Sequence, residues 1–466
     1  MTRISTLSGI KADATARLRT SYPINLEPVI AESGLSDGYL HSPPGVTLIS
    51  TGPGRDRGAI NWNGACYRVM GSKLVRIDGS VVTVLGEVGD NGGPVSMDYS
   101  FDRLAIASNG KLFYWNGSSL AQVTDPDLGL VLDVIWIAGY FMTTDGTNLV
   151  VTELSDPFAV NPLKYGSSEE SPDQIVSLIK IRGEVYAINQ TTTENFQNVG
   201  GSGFPFARNN GGLIPKGTIG TYAKAHFLDT FACVGASRNE RASVYLGGPG
   251  QALPISTPEI DRILGELSDG QLSTIELEAV VDANEQRLLV HLPDKTLVYS
   301  HQASRRAEQS VWHIRASGIM ADQAYAPRHA VLTNGQWIVG SLDGMVGYMD
   351  ESVQTHFGIV AGWQFDTALI YNDGRGVLIK ALELFGVPGA CPFGSDPTAF
   401  LSITQDGRTW GQERAISLGK TGESRKRMQW RPKIMVRAYA GLRFRGANTA
   451  IASFSRLEAD LEALTV

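Results

Sequence analysis

Cysteine is nearly absent: 466 residues hold three, Cys66, Cys233 and Cys391, far apart and with no CxxC pair. Such spacing offers neither a zinc site nor a disulfide framework, and it suits a reducing compartment. Charge is sparse as well, at 19% Asp, Glu, Lys and Arg with a net of −7. That balance argues against a protein that coats DNA by itself, though not against a negatively charged conduit for it. The seven histidines are scattered, with no two at metal-ligand spacing. No apolar run reaches the length of a membrane helix, and residues 1–20 lack the apolar core of a signal peptide. The chain is therefore expected to stay in a cytoplasm until it joins something larger. P-loop, nucleophile-elbow and dinucleotide fingerprints are missing. No catalytic, cofactor-binding or metal-binding residue is assigned.

Glycine is what the chain has in quantity, 52 residues against a hydrophobic content of 42%. The combination suits many short strands joined by turns, and the length suits two or three domains. Strands are expected over 65–70, 73–77 and 81–85, then over 103–108 and 111–115 around Asn109-Gly110. Further pairs are 134–143 with 148–152 around Asp145-Gly146, and 176–181 with 184–189 around Arg182-Gly183. Asn-Gly and Asp-Gly favour type I′ hairpins because both central residues need positive φ. Two more hairpins fall over 287–300 and 336–349. A strand roughly every 8–12 residues points to a sandwich, barrel or propeller. Above that rhythm, segments near Tyr67, Leu104, Phe141, Val185, Phe231, Leu289 and Trp337 recur at a period of roughly 40–55 residues, close to that of propeller blades. Six or seven blades would fill residues 45–350.

Residues 216–267 carry two strands, a Gly-Gly-Pro-Gly loop at 247–250 and the clearest helix signal. Ser256 or Thr257 is expected to cap that helix, with Pro258 in its first turn and Glu259 placed for a capping box. Ile260, Ile263, Leu264 and Leu267 form its apolar face. The expected fold class is all-β: a propeller, a C-terminal β-sandwich module and one short inserted helix near 257–267. The sandwich is expected over 351–466, with strands at 377–385, 399–404, 428–430, 433–437 and 441–444. Residues 1–44 are expected as an arm packing on that module. Within it, 7–19 reads as a short helix or an extended segment, and Tyr22-Pro23 and Glu27-Pro28 hold the backbone open.

Chemistry is hard to place. Thr404 to Trp410 reads TQDGRTW and resembles a sialidase Asp box one residue short, which is a hairpin and not a catalytic feature. Glycosidases need two carboxylates about 5–10 Å apart. Asp173, Glu194, Asp229 and Glu276 are the candidates, and no spacing selects a pair. His291 reads as a hydrogen-bonded strand residue. The strongest feature is electrostatic: residues 407–445 carry eleven Lys/Arg against Glu413 and Glu423, a local net of +9. Its core is Arg425, Lys426, Arg427, Arg431, Lys433, Arg437, Arg443 and Arg445. In a strand Arg425, Arg427 and Arg431 share one face, while Trp430 points into the core. This is either a solvated β-face or a docking surface for an acidic partner or for DNA phosphates.

The run Gly217, Gly220, Thr221, Tyr222, Lys224, Ser243, Val244, Tyr245, Gly248, Gly250, Gln251, Ala252, Pro254, Ile255, Thr257 and Ile260 resembles the packaged-DNA stabilisation proteins of P22-like short-tailed phages, the tail hub or head-completion factors. Gly38, Tyr39 and Leu40, and later Leu288, Leu289, His291, Leu292 and Pro293, continue the resemblance. It implies a structural virion protein of the tail, assembled in the host cytoplasm and joined to the portal-adaptor ring after DNA packaging. The implied unit is a six-fold ring, a hexamer, of propeller–sandwich subunits that seals the DNA channel until ejection. It presents sites for the tail needle and tailspikes, and packaged DNA passes through without sequence-specific binding. The basic run then reads as protein docking. A carbohydrate-binding or carbohydrate-active propeller, or a nozzle protein of another tail type, is the competing reading.

Overall fold

The computed structural model describes residues 2–7, 9–13, 18–31, 36–282, 285–371, 376–447 and 449–464. Along residues 45–350 the strands fall into seven sheets, each a blade. Blades 1 to 6 are four-stranded antiparallel sheets over 56–87, 96–122, 133–167, 175–208, 224–254 and 276–315. Blade 7 takes three strands from 328–350 and its fourth, Gly45–Thr51, from before blade 1, with Val46 opposite Met349. The first strands neighbour one another around an axis, and Arg328–Thr333 meets Asp56–Trp62, so the ring is closed. The sequence left six or seven blades open. Each of its seven markers, from Tyr67 to Trp337, falls on the second strand of a different blade.

The turns follow from local chemistry. Asn109 and Gly110 sit at φ of 52° and 70°, and Arg182 and Gly183 at 51° and 85°, as type I′ hairpins require. Asp145-Gly146 departs from that expectation: only Gly146 has positive φ, and the Asp145 carboxylate instead accepts from Thr147 and Asn148. The apolar core lies between blades, not within them. Leu74 and Ile106 join blades 1 and 2, Ile179 and Phe231 join 4 and 5, and Met70 and Val346 join 1 and 7. Gly217 lies in the seam of blades 4 and 5. A Cβ on Gly235 would meet the Gly217 carbonyl at 1.7 Å, so that approach needs glycine.

The helix Pro258–Gly265 is inserted between blades 5 and 6, and Ile260 and Leu264 are fully buried against them. Thr257 caps it, accepting from the Ile260 amide. The expected capping box does not form there, because Glu259 turns to Arg262 and Tyr22. A capping box does form one helix later, between Ser268 and Gln271. A third helix, His301–Ala307, lies inside blade 6 and had no clear sequence signal.

One of the two C-terminal sheets takes in strands from the N-terminal segment. One runs Glu27–Ile30, Gly38–His41, Ser453–Ala463, Val377–Gly386 and then an edge made of Met428–Trp430 and Ile434–Val436. The other runs Gly362–Asp366, Tyr439–Ala447, Thr398–Thr404 and Arg414–Ser417. Leu26 and Leu40 share one core with Phe365, Leu382, Leu401, Trp430 and Phe444. Ser453–Ala463, the longest strand described, had not been expected at all. The segment 7–19 shows strands Lys11–Asp13 and Leu18–Ser21, and residues 14–17 of it lie outside the described residues.

Residues 23–25 splice the two parts. Pro23 O accepts from Ile314 N at 2.9 Å and Asn25 N donates to Ile314 O at 2.8 Å, extending blade 6. Ile24 exchanges hydrogen bonds of 2.8 and 3.0 Å with Gln364 of the sandwich. Asn25, at φ 51°, seals the seam by donating to Ala316 O and Gly362 O.

Candidate functional site

The basic set is not one cluster. Arg443 makes a bidentate pair with Asp366, both bonds 2.8 Å, and its guanidinium lies 3.9 Å over the Trp410 ring. Arg445 pairs with Glu413 through two hydrogen bonds, and Arg427 does the same with Glu383. The Glu383 contact pushes the Arg427 guanidinium above its ordinary value, and Glu413 does the same for Arg445. Lys426 reaches Ser417 at 2.9 Å and Glu423 at 3.2 Å. Those four cations are committed inside the module.

Arg425, Arg431, Lys433 and Arg437 remain exposed, and none has a carboxylate partner among the described residues. Arg431, Lys433 and Arg437 border the strands Met428–Trp430 and Ile434–Val436. Among the described residues those strands pair only with Val377–Gly386 and no further strand follows them, while the Gln405 and Arg414 side chains donate to the Met435 and Pro432 carbonyls. Trp430 is 2% exposed and donates to Arg414 O, so it does point inward, while Arg431 faces solvent. Arg425 and Arg427 precede the strand and do not share its alternation.

The Asp-box-like turn is a hairpin. Asp406 accepts from the Arg408 and Thr409 amides at 2.8 Å each, and Trp410 stacks under Arg443. Three of the four candidate acids are committed elsewhere. Asp173 binds Thr191 and Thr192, Glu194 accepts from the Glu170 amide, and Glu276 pairs with His329 at 2.9 Å. Asp229, 94% exposed, lines a 530 Å³ flank cavity with Glu184, Tyr186 and Leu253. His291 is buried, with Nδ1 2.8 Å from Thr296 Oγ1 and Nε2 3.1 Å from Glu278.

Sequence reasoning missed two buried charge networks. The first fills the propeller axis. His329 Nδ1 lies 2.6 Å from Asp56, which also takes a bidentate contact from Arg68. Burial opposes the His329 charge, but Asp56 and Glu276 outweigh it and push the imidazolium up to about 10. Lys180 bonds Asp98, Lys224 bonds Asp133, and Tyr222 donates to Pro94 O, so blades that are not neighbours are tied across the axis. A cavity of 360 Å³ lies among these first strands, lined by Tyr222, Lys224, Glu276 and His329. With these bonds spanning the axis there is no bore for duplex DNA, whose major groove alone is about 12 Å wide. The second network is at the splice: Glu27 meets Arg287, Arg315 and His313. Burial would raise the Glu27 carboxyl, yet the two arginines hold it well below its ordinary value. Only the alternation of each first strand hinted at inward-facing polar residues.

Among the described residues no His, Cys, Asp and Glu cluster could hold a metal, and no helix is long and apolar enough to cross a membrane. Solved structures resemble the chain only loosely. The N-terminal domain of Nup159 aligns at 9% identity over 71% of this chain and 99% of its own, TM-score 0.41. The Neurospora crassa Pan2 WD40 domain aligns at 8% over 67% and 97%, TM-score 0.42. Scores this low bear on nothing further. The curated tail hub protein gp10 of Salmonella phage P22 is 26% identical over 469 residues, covering 94% of this chain and 95% of that protein. The model described as bacteriophage P22 Gp10, beta-propeller, matches residues 2–354, and the model described as bacteriophage P22 Gp10, beta-sandwich, matches 362–462. With the two models accounting for nearly all of its length in the order its two sets of sheets follow, the chain belongs to the P22 Gp10 family.

Proposed function

We propose that the chain is a structural tail hub protein of a short-tailed phage, a component of the virion tail and not an enzyme. The observation that carries this is the match to the P22 tail hub protein across 94% of the chain and 95% of that protein. In this reading it attaches beneath the portal-adaptor ring after packaging, helps hold the genome in, and presents sites for needle and tailspikes. It is made in the host cytoplasm. Its work is assembly through shape-matched surfaces, with copies closing a ring by rotation, six-fold by the family resemblance. The bonds across the propeller axis support one detail: DNA would run through the ring of subunits and not through a single propeller. The exposed Arg425, Arg431, Lys433 and Arg437 would dock an acidic protein surface. The committed Lys426, Arg427, Arg443 and Arg445 would shape the module that presents them.

Particles assembled without the chain are expected to package DNA and then lose it. Stable full heads in its absence would contradict the sealing role. The flank cavity with Glu184, Asp229 and Tyr186 favours a second reading, glycan binding. Retention of host-surface glycan by the purified protein, lost in Tyr186→Ala, would support it.

A further inference from the structure

The strands Met428–Trp430 and Ile434–Val436 end one sandwich sheet with no further strand among the described residues, and the chain carries a surface of opposite charge on blades 2 and 3. Residues 120–173 hold nine Asp/Glu against the single Lys164, a local net of −8 set against the +9 of 407–445. Some of those acids are spent internally. Asp133 pairs with Lys224 at the axis, Glu153 with Lys164 and Glu170 with Arg208. Asp125, Asp127, Asp145 and Asp156 meet no cation among the described residues. The Tyr165 hydroxyl donates to the Asp127 carbonyl, and the Asp125 carboxylate accepts from the Asp127 and Val160 amides, which brings Asp125, Asp127 and Tyr165 together. The same stretch exposes apolar side chains: Leu130 is 52% exposed, Leu154 60% and Leu163 86%. The basic edge has the matching character, with Met435 47% exposed between Lys433 and Arg437.

Topology keeps the two surfaces apart. The sandwich is spliced to blade 6 and adjoins blade 7, while the acidic surface belongs to blades 2 and 3. In a ring of seven blades that is about half a turn. One chain therefore cannot satisfy itself, and a contact between the two surfaces runs head to tail. Such heterologous contacts generate a closed ring when the rotation closes. Charges at a sheet edge also discourage unspecific strand pairing. Edge protection alone, however, does not call for an acidic and apolar counterpart half a turn away.

We infer that the sheet edge bearing Arg431, Lys433 and Arg437 docks on the acidic side of blades 2 and 3 of a second copy of this chain. The inference rests on the hub reading in one respect, that copies meet within a tail. The apolar side chains supply the dry centre of the contact, and the charges set its register and exclude a like-charged approach.

The test uses full-length chains supplied in trans to particles that lack the protein. One variant reverses the edge, Arg431→Glu with Arg437→Glu. The other reverses the patch, Asp127→Lys with Asp156→Lys. Arg437 and Asp127 make no side-chain hydrogen bond in the fold, and thermal melting of each variant confirms folding. Arg437→Glu alone and Asp127→Lys alone serve if a double variant misfolds. Each variant supplied alone is expected to fall at least about tenfold in incorporation. The two supplied together are expected to recover to near the unaltered level, because each reversed surface then finds an opposite charge. Incorporation of either variant alone at the unaltered level would overturn the pairing, as would failure of the mixture to recover. Both results leave the hub reading standing, whereas absence of the unaltered chain from particles would overturn that reading and the pairing with it.

Discussion

Glu27 accepts two hydrogen bonds from Arg287, at 3.0 and 2.8 Å, tying the N-terminal segment to the sixth blade. Arg315 and His313 converge on the same carboxylate. The segment that carries Glu27 is also a strand of the sandwich, so this pair joins the two parts of the molecule at a buried point. Glu27→Gln would leave two buried guanidinium groups undercompensated. The expected loss is about 3–5 kcal/mol in denaturant unfolding. A change below about 1 kcal/mol would mean that the junction is held by the backbone splice alone.

The axis predicts a pH dependence. His329 is raised from 6.5 to about 10 in the fold. A raised group stabilises most below its unfolded value, so its contribution is full below 6.5, declines as pH rises, and is gone above about 10. The stability gap between the unaltered chain and His329→Gln should therefore be largest near about pH 6 and close by about pH 10. A gap independent of pH across that window would show that the imidazole is not charged at the axis.

The basic residues should separate into two classes. Arg443→Ala strips the buried Asp366, which is 2% exposed, of both its hydrogen bonds and uncovers Trp410. It should cost about 1–3 kcal/mol. Arg431→Ala and Arg437→Ala should stay within about 0.5 kcal/mol in the same assay. Equal losses for all three would contradict the division between committed and free cations.

Truncation should act unevenly. Removing residues 407–466 takes away Tyr439–Ala447 and Ser453–Ala463, the central strands of both sandwich sheets. The closing strand of blade 7 is untouched, because Gly45–Thr51 precedes the blades. Limited proteolysis followed by mass spectrometry should find 362–406 cleaved and a resistant core over about 45–350. Continued protection of 362–406 would show that the remaining strands pair without their centre.

Much of the propeller was legible because its turns and apolar strands are local signals. Tyr67, Phe141 and Trp337 mark second strands since those strands face neighbouring blades on both sides. Blade number was less legible, because the segments do not align as repeats and the seventh sheet takes its fourth strand, Gly45–Thr51, from before the first blade. Ser453–Ala463 was missed for a different reason. Its run of Leu, Glu and Ala favours helix locally, and only flanking strands from residues 2–4, 38–41 and 377–386 make it extended. The basic set was visible as composition, but its division was not. Asp366 and Glu383, which claim Arg443 and Arg427, lie some 40 to 80 positions earlier, and no spacing rule connects them.

The central claim is that this chain is a tail hub, and electron microscopy of intact virions from the parent phage tests it most directly. The expected result is a closed ring of propeller–sandwich subunits below the portal, with the DNA path between subunits and each propeller axis filled. Particles that lack the chain, or that carry it away from the tail axis, would contradict the account.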